Sequence, residues 1–153
     1  MYFTDYKGRK IILSDESWAH AQESSMNINY DKDIDYMEIF FSREENYGDE
    51  VNDATMVFKS EKNDKVVGYS FENASLSVFD TDLLHLTAKL AAMLKMARSV
   101  DGITQCEAAT LVGITLRQFQ RLEAGEDTTL ETLEKITHAF PNHDFSKMFK
   151  RTA

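Results

Sequence analysis

At 153 residues the chain is long enough for one ordinary domain or two small ones with a buried core. A composition 42% hydrophobic and 28% charged excludes a disordered chain, and no apolar run is long enough to span a membrane. The formal net charge of -9 is uneven: residues 1–82 hold 8 Lys/Arg against 18 Asp/Glu, and residues 83–153 hold 9 against 8, so the acidity belongs to the first half.

The opening "MYFTDYKGRK" has no hydrophobic segment after a basic one, so no secretory leader is expected. The single cysteine, Cys106, precludes an internal disulfide and fits a reducing cytosol, so a cytoplasmic location is expected.

In chain order, "YFTDYKGRKIIL" has two β-rich runs around Lys7-Gly8 and predicts a hairpin. "SDESWAHAQESSM" predicts a short helix carrying Trp18, capped by Ser14 or Asp15. "DYMEIFF", "ATMVFKS" and "KVVGYSFE" are rich in β-branched and aromatic residues and predict strands. Asn63-Asp64 suits the positive φ of a tight turn between the last two. "SREENYGDEVND" reads as a polar loop, which leaves an antiparallel sheet of about four strands with one helix.

After Asp80 the period changes from two to helical. Leu83, Leu86, Leu90, Leu94 and Ala97 fall on one face of a long helix, which Asp80 or Thr81 could cap. Four shorter helices are predicted after it, with breaks at Asp101-Gly102, Gly113, Gly125-Glu126-Asp127 and Pro141. The expected fold class is α+β: an N-terminal antiparallel β-sheet with a helix, then an all-α region of five helices. The expected division is an acidic β-rich partner-binding domain over residues 1–79 and a DNA-binding domain over 80–153, joined without a low-complexity linker.

The stretch "ITQCEAATLVGITLRQFQRLEAG" has the chemistry of two short helices crossing steeply. Ala109 is small where the axes would approach, and Gly113 tolerates the positive φ of the turn. Ala108, Val112, Ile114, Phe119 and Leu122 would close the underside. Thr104 and Thr115 can cap the two helices, with backbone N–H groups left for phosphate.

From about Leu83 to Phe149 the chain resembles the helix-turn-helix domain of the phage lambda repressor and Cro family. "ITQ" is similar to that family's apolar-Ser/Thr-Gln opening, and "QRLEAGEDTTLETLEKI" to its Arg-apolar-Glu-x-Gly signature followed by a Ser/Thr-Leu-x-x-Leu helix. The resemblance implies that "TLRQFQRLEAG" enters the major groove of double-stranded DNA. Leu116, Arg117, Gln118, Gln120 and Arg121 would then face outward, arginine suited to guanine and glutamine to adenine. Leu116 departs from the polar residue usual there and could only meet a thymine methyl. The same analogy gives Gln105 a phosphate contact and makes Arg98 and Glu123 a structural ion pair. A half with a net charge of about +1 would hold DNA weakly, so a homodimer on a two-fold operator is expected.

The first half resembles a small domain family of uncharacterised biochemistry, with Tyr30, Asp31, Asp35, Met37, Ile39, Gly68, Ala74 and Ser75 matching its pattern and Glu38 departing from it. Such domains are often encoded beside small toxins, so the resemblance implies an antitoxin, and the acidity of this half suits a basic toxin as its partner. Two other functions fit the same residues: a phage or mobile-element repressor with a ligand-sensing or oligomerising N-terminal domain, and an interaction module whose helix-turn-helix only dimerises.

Asp31, Asp33 and Asp35 copy the opening of a calcium loop. Its sixth and twelfth positions should be glycine and glutamate but are Tyr36 and Ser42, so no metal is expected and the aspartates read as solvated residues leading into a strand. His20, His85, His138 and His143 are scattered, and neither a nucleophile motif nor a phosphate loop is visible, so no catalysis and no cofactor are expected.

Overall fold

The computed structural model describes residues 2–4, 10–12, 26–77 and 83–149. Strands β1 (Tyr2–Thr4) and β2 (Lys10–Ile12) pair antiparallel, with Phe3 opposite Ile11, as the hairpin reading expects. The predicted Trp18 helix and the proposed caps Ser14, Asp15, Asp80 and Thr81 lie outside the described residues.

A five-stranded antiparallel sheet follows, built from β3 (Asn27–Asp31), β4 (Tyr36–Phe40), β5 (Asn46–Asn52), β6 (Thr55–Ser60) and β7 (Val66–Glu72). Its spatial order is β3-β4-β7-β6-β5. Ile28 stands opposite Ile39, Ile39 opposite Tyr69, and Tyr69 opposite Val57, which aligns the apolar positions on one face.

The region read as a polar loop contains β5, and β3 is a strand that the sequence reading did not foresee. Both are edge strands. From Tyr47 to Asn52 every residue of β5 is exposed, so water on both faces removes the apolar alternation by which a strand is recognised. The turn between β6 and β7 does use a positive φ, but only at Asp64 (φ 58).

The aspartates of the β3–β4 turn are more than solvated. Asp35 takes a positive φ of 49, which a short polar side chain tolerates. Its carboxylate accepts from the Tyr30 hydroxyl (2.7 Å), the Ser75 amide (3.0 Å) and the Ser75 hydroxyl (2.6 Å). Its carbonyl accepts from the Ala74 amide, which pins helix α1 (Ala74–Ser77) to the turn. Burial opposes ionisation of Asp35, but the bonds from Ser75 and Tyr30 outweigh it and hold the carboxyl below its ordinary value. Asp35→Asn is therefore expected to cost about 1–2 kcal/mol, because a charge-assisted bond is lost. The parent's advantage should be complete above the ordinary carboxylate pKa and vanish as pH falls through the depressed native value. Urea titrations of both proteins at neutral and acid pH check this; equal midpoints at neutral pH would contradict it.

Helix α2 (Leu86–Asp101) is central and is buried nearly all round, through Ala88, Leu90, Ala91, Ala92, Met93, Leu94, Met96 and Ala97. It starts later than expected. His85 precedes it without a side-chain cap, Leu84 is buried, and Leu83 and Leu86 remain 36% and 47% exposed, because the chain still turns at 83–85.

Helices α3 (Gln105–Val112), α4 (Leu116–Glu123) and α5 (Leu130–Ala139) and a 3-10 helix (Phe145–Phe149) follow, with breaks where the sequence placed them. The fold is thus mixed α+β, with the described strands in the N-terminal half.

Helix α2 packs on β3, on α4 and on the 3-10 helix, and α3 packs on α5. One continuous core therefore joins Ile28, Met37, Ile39 and Phe71 of the sheet to Leu90, Leu94, Phe119 and Ile136 of the helices. A cut near residue 80 would expose that sheet face to water.

Candidate nucleic-acid interface

The α3–α4 pair follows from local chemistry. The Thr104 hydroxyl accepts from the Glu107 amide (3.1 Å), and the Glu107 carboxylate accepts from the Thr104 amide (3.3 Å). Thr115 and Gln118 do the same at α4, at 3.1 and 2.9 Å. The caps use the amides of Thr104 and Glu107 and of Thr115 and Gln118, whereas the amides of the first two residues of each helix, Gln105 and Cys106 and Leu116 and Arg117, take no part in them. They also differ in charge: Glu107 puts a carboxylate at the start of α3, whereas Gln118 leaves the start of α4 neutral and better suited to an anion.

Between the helices Gly113 takes φ 83, and the Ile114 amide bonds back to the Ala109 carbonyl (3.1 Å). Ala109 is 3% exposed, and Ala108, Val112, Phe119 and Leu122 are buried beneath the pair.

On the outer side of α4, Leu116, Arg117, Gln118, Gln120 and Arg121 are all exposed. Arg117 makes no ion pair or side-chain hydrogen bond among the described residues. Arg121 lies 3.5 Å from Glu126, an exposed pair that contributes little and that a phosphate could replace. The Gln118 side-chain carbonyl is occupied by the cap, which leaves its NH₂ group for a ligand.

Behind this surface lies a connected polar network. Arg98 Nε donates to Glu123 Oε2 (2.8 Å) and Arg98 Nη2 donates to Glu123 Oε1 (3.0 Å), a two-point pair with side chains 13% and 7% exposed. Gln105 Nε2 donates to Glu123 Oε1 (3.0 Å), and Gln120 Nε2 donates to Gln105 Oε1 (3.4 Å). The structure thus brings Gln105, Gln120, Arg98 and Glu123 together, and sets Thr115, Leu116, Arg117 and Gln118 at the start of α4. Thr104 adjoins Gln105 at the start of α3, its side chain engaged in the cap with Glu107.

The sequence reading missed three residues beside this network. Lys95 lies three positions before Arg98 on α2, a helical spacing that could have marked it. Asn27 and Asn29 of β3 line the same crevice as Lys95, Gln105 and Gln120, and no local spacing connects them to it.

Among the described residues no group of three His, Cys, Asp or Glu side chains is placed to hold a metal ion, and no helix is long and apolar enough to cross a membrane. His143 approaches Asp101 at 3.0 Å. No family model, curated protein or solved structure matches the chain.

Proposed function

We propose that the chain is a sequence-specific, double-stranded-DNA-binding repressor, and the antitoxin of a toxin–antitoxin pair that represses its own operon. The observation that carries the DNA part is the outer face of α4. Five polar or apolar side chains able to meet base edges stand exposed there, on a short helix fixed from behind by a buried core and a two-point ion pair. Anisotropy of labelled duplexes tests it: the duplex upstream of the gene should bind more tightly than a scrambled one. Gln105→Ala should weaken both duplexes alike, by about 1 kcal/mol, because a backbone contact carries no sequence information. Selective loss on the upstream duplex would move Gln105 to base reading.

The helical half leaves Leu111, Leu130 and Phe149 exposed, apolar area that a second copy could cover in a homodimer on two half-sites. For the acidic half, the supporting observation is the edge of the sheet formed by β5. Among the described residues strand β5 pairs only with β6, and it holds Glu50 and Asp49 exposed, the latter 3.5 Å from Lys59 in an exposed pair that a partner could replace. A basic toxin segment would find complementary charge and unpaired backbone there. Calorimetry of the full chain against the product of an adjoining gene is expected to show binding that weakens on Asp49→Lys/Glu50→Lys. Unchanged affinity would remove the β5 edge from the partner surface.

A further inference from the structure

Strand β3 and the α3–α4 pair do not meet flush. An open crevice of about 360 Å³ separates them, with Asn27 and Asn29 on the sheet side and Lys95, Gln105, Gln120 and Glu123 on the helical side. Its charges do not balance. Both oxygens of Glu123 are taken by Arg98, and Lys95 makes no ion pair among the described residues, so two cations share one carboxylate. Lys95 is only partly exposed, so its charge is incompletely hydrated; burial first, and the Arg98 charge second, push its ammonium below the ordinary lysine value, against the pull of Glu123. An anion entering the crevice would relieve both effects.

The remaining walls are amides. Asn27, Asn29, Gln105 and Gln120 each carry an NH₂ group, of which Gln105 and Gln120 already spend one hydrogen within the network and keep the second, and a cation with neutral donors around it is a phosphate-binding chemistry. The crevice also adjoins the side of the α3–α4 pair from which DNA would be met. We infer that the crevice receives one phosphate of the DNA backbone, with Lys95 as its counter-charge and the β3 asparagines closing it from the sheet side. The inference rests on the DNA-binding reading above and adds to it that the acidic half contributes to the DNA surface.

The test is the salt dependence of duplex binding by the full chain between 50 and 200 mM salt. Losing one phosphate contact lowers the slope of log K against log salt by about 0.9, so across that range Lys95→Met should lose about 3.5-fold less affinity than the parent. The change should be the same on upstream and scrambled duplexes, and Lys95→Arg should restore the parent slope. Asn29→Asp, at an exposed position, adds an opposing charge without touching the core and should weaken every duplex; it decides the matter if Lys95→Met does not fold. A folded Lys95→Met with the parent slope, or an Asn29→Asp with parent affinity, overturns the inference while leaving the DNA reading intact. So does calorimetric uptake of inorganic phosphate that Lys95→Met abolishes without altering duplex binding, since the crevice would then serve a free anion. A parent that binds no duplex overturns the DNA reading and the inference together.

Discussion

Glu123→Ala is expected to destabilise the protein by about 3–5 kcal/mol, because removing one partner of a buried ion pair leaves the other charge uncompensated. The Arg98 guanidinium would lose two bonds, of 2.8 and 3.0 Å, in a site where its side chain is 13% exposed. That residual contact with water places the effect toward the lower end of the range. Gln105 would lose its acceptor at the same time, and with it the link to Gln120. DNA affinity should fall chiefly through unfolding, with a smaller loss among molecules still folded because Gln105 and Gln120 are no longer held, while the base read by Arg117 stays the same. Thermal melts with binding measured well below the transition check both parts. A variant that melts like its parent yet fails to bind would make Glu123 part of the contact surface instead of its support.

Arg117→Ala is expected to weaken binding to the upstream duplex by about 1–3 kcal/mol while barely affecting a scrambled duplex at matched salt. Arg117 is exposed in the first turn of α4 and is engaged with no other described side chain, so its guanidinium is free to donate two bonds to one base. Arg121, drawn toward Glu126, should matter less. Stability should not change, since exposed substitutions away from caps and cores are nearly neutral. Affinities on a panel of single-base variants would reveal the position read: the parent should discriminate there and Arg117→Ala should not. Equal losses on all duplexes would assign Arg117 to phosphate.

What could be read from the chain was local. The Thr104 and Thr115 caps, the turn at Gly113 and the small Ala109 each act within a few residues, so their pattern survives in one dimension. The breaks before and after α5 are legible for the same reason. The edges of the sheet were not legible. Strand β5 is exposed on both faces and β3 is five residues with three polar ones, so neither has the alternation that a half-buried strand shows. The start of α2 was misread because Leu83 and Leu86 continue the spacing of Leu90 and Leu94 although the core takes Leu84 instead. The pairing of Arg98 with Glu123 came from family resemblance, since 25 residues separate the two. Nothing along the chain joins Asn29 to Lys95; only the packing of β3 on α2 brings them to one crevice.

The most direct measurement is the affinity of the full chain for the duplex upstream of its gene against a scrambled duplex of equal length, at physiological salt. A protein that reads bases through α4 should prefer the upstream duplex by roughly a thousandfold or more, the low end for specific DNA binding. Its Arg117→Ala variant should lose part of that preference and keep its fold. Equal affinity for the two duplexes, with Arg117→Ala indistinguishable from the parent, would contradict sequence-specific recognition by this surface.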